Sequence, residues 1–260
     1  MFDMVALNNK VVIITGASRG IGRETAVFFA REGASVVLAA RGKDDLKAAL
    51  ENLGGNPQKH FYVPADISRD EDIKNLISKV MDKYGKIDIL VNNAAISYVG
   101  RVEDIDLKKA EDVLNINLLG TIRITSHILP HMIRQKAGHI INISSILGKK
   151  GISYRSVYCA SKFGMEGFME SLRSEVNKYN IKISMVRPPT VNTGFSAKIE
   201  RDSGVTYRTL GNMSPDTVAK SIIDMAKRPK REVNIGILAK GLLFLNRISP
   251  ALFDKVAREK

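Results

Sequence analysis

The chain has 260 residues, 44% hydrophobic and 26% charged, a balance that suits one large α/β domain with a full core and excludes a disordered protein. Its single cysteine, Cys159, excludes an intramolecular disulfide, and no apolar run approaches the roughly 20 residues of a membrane-spanning helix. The formal net charge of +13 fits an anionic cofactor or substrate, an anionic membrane surface or a plain solvated basic surface, whereas scattered Lys and Arg without a recognised motif place nucleic acid last.

The N-terminal residues Met1 to Asn8 carry neither a basic stretch nor a long apolar run, so no signal peptide is expected and the default address is the cytoplasm. Lys10-Val11-Val12-Ile13-Ile14-Thr15 follows, with four β-branched apolar residues in a row. Such a run reads as a strand buried on both faces, as in a parallel sheet. Gly16-Ala17-Ser18-Arg19-Gly20-Ile21-Gly22 comes next, and helical periodicity resumes from Glu24 to Arg31. Strand, glycine turn and helix predict the opening of a dinucleotide-binding βαβ unit. Glycines let the backbone approach a pyrophosphate, whose charge sits among the unpaired N–H groups of a helix N-terminus.

Ser35 to Ala40 is the second predicted strand, ending at Arg41. Many NAD-binding proteins carry an acid there to grip the ribose hydroxyls. Arg41, with Arg19 in the glycine turn, instead predicts two guanidinium groups around a ribose 2′-phosphate, which favours NADP(H). A helix from Lys43 to Leu53 stops at Gly54-Gly55. His60 to Val63 is the third strand. Asp66-Ile67 lies at its carboxyl end, where ligands bind in such sheets, and Ser68 is the expected N-cap of a helix reaching Tyr84-Gly85. Ile87 to Val91 is the fourth strand, running into Asn92-Asn93-Ala94-Ala95, small and polar residues suited to close cofactor approach.

Leu107 to Gln135 reads as helix, with Asn115 and Asn117 at poor interior positions that mark Asn117 as a residue buried for a reason. Gly138 to Ser145 is the fifth strand, Tyr158 to Lys162 opens a long helix, and Ile181 to Val186 is the sixth strand, closing at Arg187-Pro188-Pro189. Thr193 to Met213 is polar and weakly periodic, and reads as a lid over the substrate. Ser214-Pro215 starts another helix as N-cap and first position. Glu232 to Ile237 is the final strand. Alternating strands and helices with short connections predict a Rossmann-like, doubly wound parallel sheet in three α/β/α layers, one domain over residues 1–260.

Tyr158 and Lys162 are four apart on a helix and share a face. An ammonium beside a phenol favours the phenolate, which lowers the tyrosine pKa and gives a proton donor or acceptor near neutral pH. The same spacing is common on plain helix surfaces. Its position after a serine-ended strand, in a chain that opens with a dinucleotide turn, gives it weight.

The ordered set Thr15-Gly16-Ala17-Ser18-Arg19-Gly20-Ile21-Gly22, Asp66, Asn92-Asn93-Ala94, Asn117, Ser145 and Tyr158-x-x-x-Lys162 resembles the short-chain dehydrogenase/reductase family over nearly the whole chain. The resemblance implies Tyr158 as general acid in reduction and base in oxidation, with Lys162 lowering its pKa and holding the nicotinamide ribose. It also implies that Ser145, selected over Ser144 by the family's spacing to the tyrosine, bonds the substrate oxygen, and that Asn117 holds a water relaying protons to Lys162. Asn93 would lie against the cofactor, and Pro188, Val191 and Thr193 would follow the nicotinamide carboxamide. No metal is implied; dimers or tetramers are usual. Two departures stand out, Ala95 for a usual Gly and Pro189 for the Gly of a Pro-Gly pair.

The expected activity is therefore NADP(H)-dependent interconversion of a ketone and a secondary alcohol. A lipid-like substrate competes with a 3-oxoacyl carrier-protein thioester, and a non-catalytic cofactor-binding or membrane-surface protein is the third reading. Residues 237–260 interleave Leu242, Leu243, Phe244, Leu245, Ile248, Leu252, Phe253 and Val256 with Lys240, Arg247, Lys255 and Arg258. This amphipathic tail either lies on an anionic membrane or packs over the cleft or a neighbouring subunit.

Overall fold

A computed structural model describes residues 5–193, 195, 200, 201 and 212–249 of the chain. In chain order the elements are β1 (Val11–Thr15), α1 (Gly20–Arg31), β2 (Ser35–Ala40), α2 (Lys43–Glu51), β3 (His60–Pro64), α3 (Asp70–Tyr84), β4 (Ile89–Asn92) and β5 (Tyr98–Val99). Then follow α4 (Leu107–Leu114), a π-helical turn (Asn115–Gly120), α5 (Thr121–Gln135), β6 (Gly138–Ile143), α6 (Ser156–Val176) and β7 (Ile181–Arg187). The chain continues through β8 (Glu200–Arg201), α7 (Pro215–Lys227), β9 (Glu232–Asn234) and α8 (Ile237–Ile248).

Seven strands form one parallel sheet in the order β3-β2-β1-β4-β6-β7-β9. β1 is buried throughout and feeds both layers: Val12 and Ile14 pack with Phe29, Leu46 and Ile222 beneath α1, α2 and α7. Val11 and Ile13 pack with Leu76, Ile124 and Met165 beneath α3, α5 and α6. The strand order reverses between β1 and β4, and a crevice opens there at the carboxyl ends of the strands. The doubly wound three-layer architecture is the expected one.

Inside the sheet runs a polar ladder. Asn92 Nδ2 donates to Asn142 Oδ1 at 2.9 Å and to Thr125 Oγ1 at 3.3 Å, and Asn142 Nδ2 donates to Ser184 O at 3.2 Å. Ser184 Oγ donates to Lys230 O at 2.6 Å and meets His139 Nε2 at 2.8 Å.

Local departures from the expected elements have local causes. Ser68 does not cap α3, because its hydroxyl is spent on Asp66 Oδ1 at 2.7 Å; Arg69 holds the cap position and three acids in the first turn face the helix's positive end. Ile87 stays outside β4, its N–H and C=O taken up by the Gln135 side chain. The helix expected over 107–135 is interrupted by the π-helical turn, and Thr121 Oγ1 donates to the Asn117 carbonyl at 2.9 Å. β9 ends at Asn234 rather than Ile237, since Gly236 at φ +91° turns the chain into α8. The helix after the glycine turn begins at Gly20, inside the turn itself. Ser214 caps α7 as expected, accepting from Thr217 N. β5 and β8 form a small parallel pair that the sequence did not reveal.

Candidate active site

The floor of the crevice is the turn from β1 into α1. Gly16 and Gly20 adopt φ +65° and +56°, which L side chains rarely do. A Cβ on Gly16 would stand 2.8 Å from Ala94 Cα, and one on Gly22 would stand 2.4 Å from Gly16 O, so backbone packs on backbone here. Asn93 locks the arrangement: its Nδ2 donates to Thr15 O at 2.9 Å and Gly16 O at 3.1 Å. Thr15 Oγ1 accepts from the N–H groups of Asn93 and Ala94.

Above this floor lies a cleft of about 380 Å³, within the roughly 300–1,000 Å³ of ligand sites. Its wall brings together Gly16, Ser18, Arg19, Gly20 and Ile21 from the turn with Arg41, Asp66 and Ile67 at the ends of β2 and β3. Asn93 and Ala94 follow β4, Ser145 follows β6, and Pro188, Val191 and Thr193 follow β7; Tyr158 and Lys162 complete it from α6. Gly22 lies under the turn and outside the wall, and Asn117 stands behind it. Asp45, on the first turn of α2 beside Gly42, lines the cleft near Arg41 and was not singled out from the sequence.

Tyr158 is buried at 8% exposure, and Ser145 lines the same two cavities. Ser145 Oγ accepts from Leu147 N at 3.1 Å, which fixes the turn carrying it. Ser144, the other candidate, is buried, and its hydroxyl has no hydrogen-bond partner among the described residues. The expectation that Lys162 lowers the Tyr158 pKa is corrected: burial pushes the phenol up to about 12, against the opposing pull of Arg155 and Ser145. Lys162 Nζ donates to Ile143 O at 2.9 Å and lies 5.8 Å from the Tyr158 ring centroid. Burial pushes the Lys162 ammonium down to about 8, and Glu166 one turn on works against that shift.

Asn117 is fully buried. Its Oδ1 accepts from Ile96 N at 2.9 Å, while Nδ2 donates to Ile96 O at 2.9 Å and Ser161 Oγ at 3.0 Å. Ser161 Oγ in turn donates to Tyr158 O at 2.7 Å. Both amide hydrogens are therefore spent on tying the loop after β4 to the turn of α6 between Tyr158 and Lys162. Below that turn, Arg187 makes a bidentate pair with Glu166, at 2.7 Å to each oxygen, and reaches Glu232 at 2.8 Å. This brace, a buried Arg187–Glu166 pair with the exposed Glu232 at its end, joins α6, β7 and β9 and was not legible in the sequence.

Beyond Ser145 and Tyr158 a second cavity of about 90 Å³ opens, walled by Ile146, Leu147, Ile152, Pro189 and Phe195. Leu243 of α8 packs against the same apolar group. The expected lid over 193–213 lies largely outside the described residues. Its ends meet where Asn192 N donates to Met213 O at 2.9 Å and Met213 N donates to Thr190 O at 3.1 Å. On α8, Ile237, Phe244 and Ile248 are exposed. The remaining apolar and basic residues of the tail, Leu252, Phe253, Lys255, Val256 and Arg258, lie outside the described residues. No helix among the described residues is long and apolar enough to cross a membrane.

The sequence profile of the short chain dehydrogenase family matches residues 10–204. The chain belongs to this family. It is 35% identical to a dehydrogenase/reductase SDR family protein 7-like of Anopheles gambiae, over 98% of this chain and 84% of that protein. It is 32% identical to the mouse dehydrogenase/reductase SDR family member 7B, over 96% and 80%. Among solved structures, a short-chain dehydrogenase from Streptomyces avermitilis matches with a TM-score of 0.82 at 26% identity, covering 96% of this chain and 98% of that one. An alcohol dehydrogenase from Thermococcus sibiricus, solved with 5-hydroxy-NADP, matches with a TM-score of 0.76 at 26% identity, covering 88% and 96%. Family membership makes this chain an oxidoreductase of the nicotinamide-using, short-chain type.

Proposed function

We propose that this short-chain dehydrogenase interconverts a ketone and a secondary alcohol with NADP(H), Tyr158 acting as acid in reduction and base in oxidation. The observation that carries the reading is that Ser145, Tyr158 and Lys162 line one cleft, the one that the glycine turn floors. The residues present fit a dinucleotide. The bare backbone of Gly16 and Gly20 admits close approach, and the α1 N-terminus offers N–H groups without a side-chain cap. Arg19 and Arg41, both exposed on the cleft wall, supply two forks for a 2′-phosphate. Asp45 opposes them in charge, so the preference rests on two cations against one acid.

The nicotinamide group, when bound, supplies or takes up the hydride. Tyr158 holds its proton at neutral pH and passes it to the carbonyl oxygen, which Ser145 also faces with its hydroxyl. Lys162 brings a positive charge to the cofactor side of the ring. Asn117 is a positioning residue: it fixes Ser161, and with it the turn between the two catalytic groups. The apolar wall beyond Ser145, with Leu243 against it, supports a substrate with an apolar body; the exposed face of α8 supports contact of the tail with a lipid surface or with a second copy of this chain.

NADPH oxidation, with NADH in parallel, against ketones from short 3-oxoacyl thioesters to long-chain 3-keto lipids tests the proposal. NADPH-dependent turnover that is lost in Tyr158→Phe is the expected result. Equal turnover in that variant overturns the assignment, and better use of NADH overturns the role given to Arg19 and Arg41.

A further inference from the structure

The helix α8 that brings Leu243 to the substrate cavity leaves its other side uncovered. Ile237 is 89% exposed, Phe244 66% and Ile248 67%, and Lys240 and Gly241 between them are exposed as well. These five positions recur three and four residues apart, so they fall on one face of the helix. Leu243 and Asn246 point the other way and are half-buried, with Leu243 packed against the group of Ile146, Leu147 and Tyr158. Single apolar side chains in water need no explanation, but three large ones along one stripe mark a contact surface.

Charge decides what covers it. Residues Ile237–Ile248 include Lys240 and Arg247 and no acid, and residues 249–260 add Lys255, Arg258 and Lys260 against Asp254 and Glu259. A second copy meeting this face across a two-fold axis would bring two copies of Lys240 to one interface, with no acid on either helix to answer them. An anionic bilayer answers both components. Its acyl boundary takes the apolar stripe, and its headgroups attract the cations of a chain that carries +13 overall.

We infer that α8 docks this protein on an anionic lipid surface, and that the apolar ketone reaches the cavity from the bilayer and not from bulk water. Phe244 directly follows Leu243, so a helix laid down on this face holds the apolar wall of the cavity against the membrane. The substrate route rests on the proposed reading of the cavity beyond Ser145 as the substrate's place.

Co-sedimentation of the full chain with vesicles tests the docking without any turnover. Wild type is expected to bind vesicles of phosphatidylcholine and phosphatidylglycerol in equal parts, and to bind phosphatidylcholine alone about tenfold more weakly. Phe244→Glu combined with Ile248→Glu lowers binding to the mixed vesicles by on the order of tenfold or more. Lys240→Gln lowers it about fivefold, and added salt weakens it. Leu107→Glu, at an equally exposed leucine on α4, leaves it unchanged. Melting midpoints stay at the wild-type value in all of these variants. Turnover of a long-chain 3-keto ester offered in the mixed vesicles falls in the double variant in step with binding, while NADPH oxidation by ethyl acetoacetate in solution is kept.

Wild type that ignores the mixed vesicles, or binds both compositions alike, overturns the docking, as does a double variant that binds like wild type. A wild-type dimer that the double variant splits, without vesicle binding, assigns the face to a second copy and overturns it too. Equal turnover of the vesicle-borne ester by wild type and double variant overturns the substrate route. Loss of ethyl acetoacetate turnover in Tyr158→Phe reports separately on the proposed function.

Discussion

The two halves of the crevice are built by different means. On the cofactor side, from β1 to β4, the wall is backbone: glycines at positive φ, with Asn93 and Thr15 stitching the turn to β4 by four hydrogen bonds. On the substrate side, from Ser145 to α8, the wall is side chain, an apolar patch of Ile146, Leu147, Ile152 and Phe195 with Arg155 at its edge. A backbone wall admits few alternatives, whereas a side-chain wall can be resurfaced without disturbing the sheet. Changes on the first side should therefore remove function, and changes on the second should redirect it.

Tyr158→Phe, at the seam, is the largest expected effect. Turnover falls by roughly 10²–10⁴ while NADPH affinity holds, read from initial rates and from quenching of NADPH fluorescence. Gly22→Ala attacks the backbone wall. Its Cβ would meet Gly16 O at 2.4 Å and Asn93 Nδ2 at 2.5 Å. A loss of about 1–3 kcal/mol in stability by chemical denaturation is expected, with weakened NADPH binding. An unchanged denaturation midpoint would show that the turn is less tightly determined than its contacts imply.

Arg19→Ala and Arg41→Ala sharpen the same side more gently. Each should lower the NADPH-to-NADH ratio of kcat/KM by about tenfold with the stability unmoved, and removal of Asp45 should raise it. The Lys162 ammonium, lowered from 10.5 to about 8 by burial, is cationic below that pH and loses its proton above it. Reductive kcat/KM for NADPH should hence decline as pH rises through about 8. Tyr158, raised to about 12, stays protonated over the same range and adds no limb of its own. A level profile to pH 10 would contradict this role for Lys162. Leu243→Ala, on the side-chain wall, should be smallest, a few-fold change in KM for an apolar ketone with NADPH binding untouched, measured by the same two assays.

The sequence was most informative where local chemistry forces local structure. Four β-branched residues and three glycines in a row of positions sufficed for β1, its turn and α1, because φ above zero admits little else. Ser145 was selected over Ser144 only through the family resemblance, whereas Tyr158 and Lys162 were legible from helical spacing together with their place after a serine-ended strand. Long-range groupings were not. Arg187, Glu166 and Glu232 meet only because β7, α6 and β9 are adjacent in space, and Asp45 reached the cleft because α2 begins at its edge. Ser68 failed as a cap since Asp66, two residues away, competed for its hydroxyl. The direction of the Tyr158 shift also failed, as a sequence shows a neighbouring ammonium but not the burial that outweighs it.

The amide ladder through the sheet bears on how the strands find their alignment. β4, β6 and β7 are buried on both faces over most of their length, so an alternation of buried and exposed residues does little to tell one pairing from the next. Asn92 opposite Asn142 can. A slip by one residue would turn these amides to the wrong side and leave them unmet in an apolar layer, at about 1–3 kcal/mol for each group. Such proofreading matters most in a parallel sheet, where strands distant in sequence must be matched. Asn93 follows one member of the ladder, and Ser144-Ser145 follow the other within three residues. The same pairing that rejects a misaligned strand thereby sets the distance between the glycine turn that floors the cleft and Ser145 on its wall.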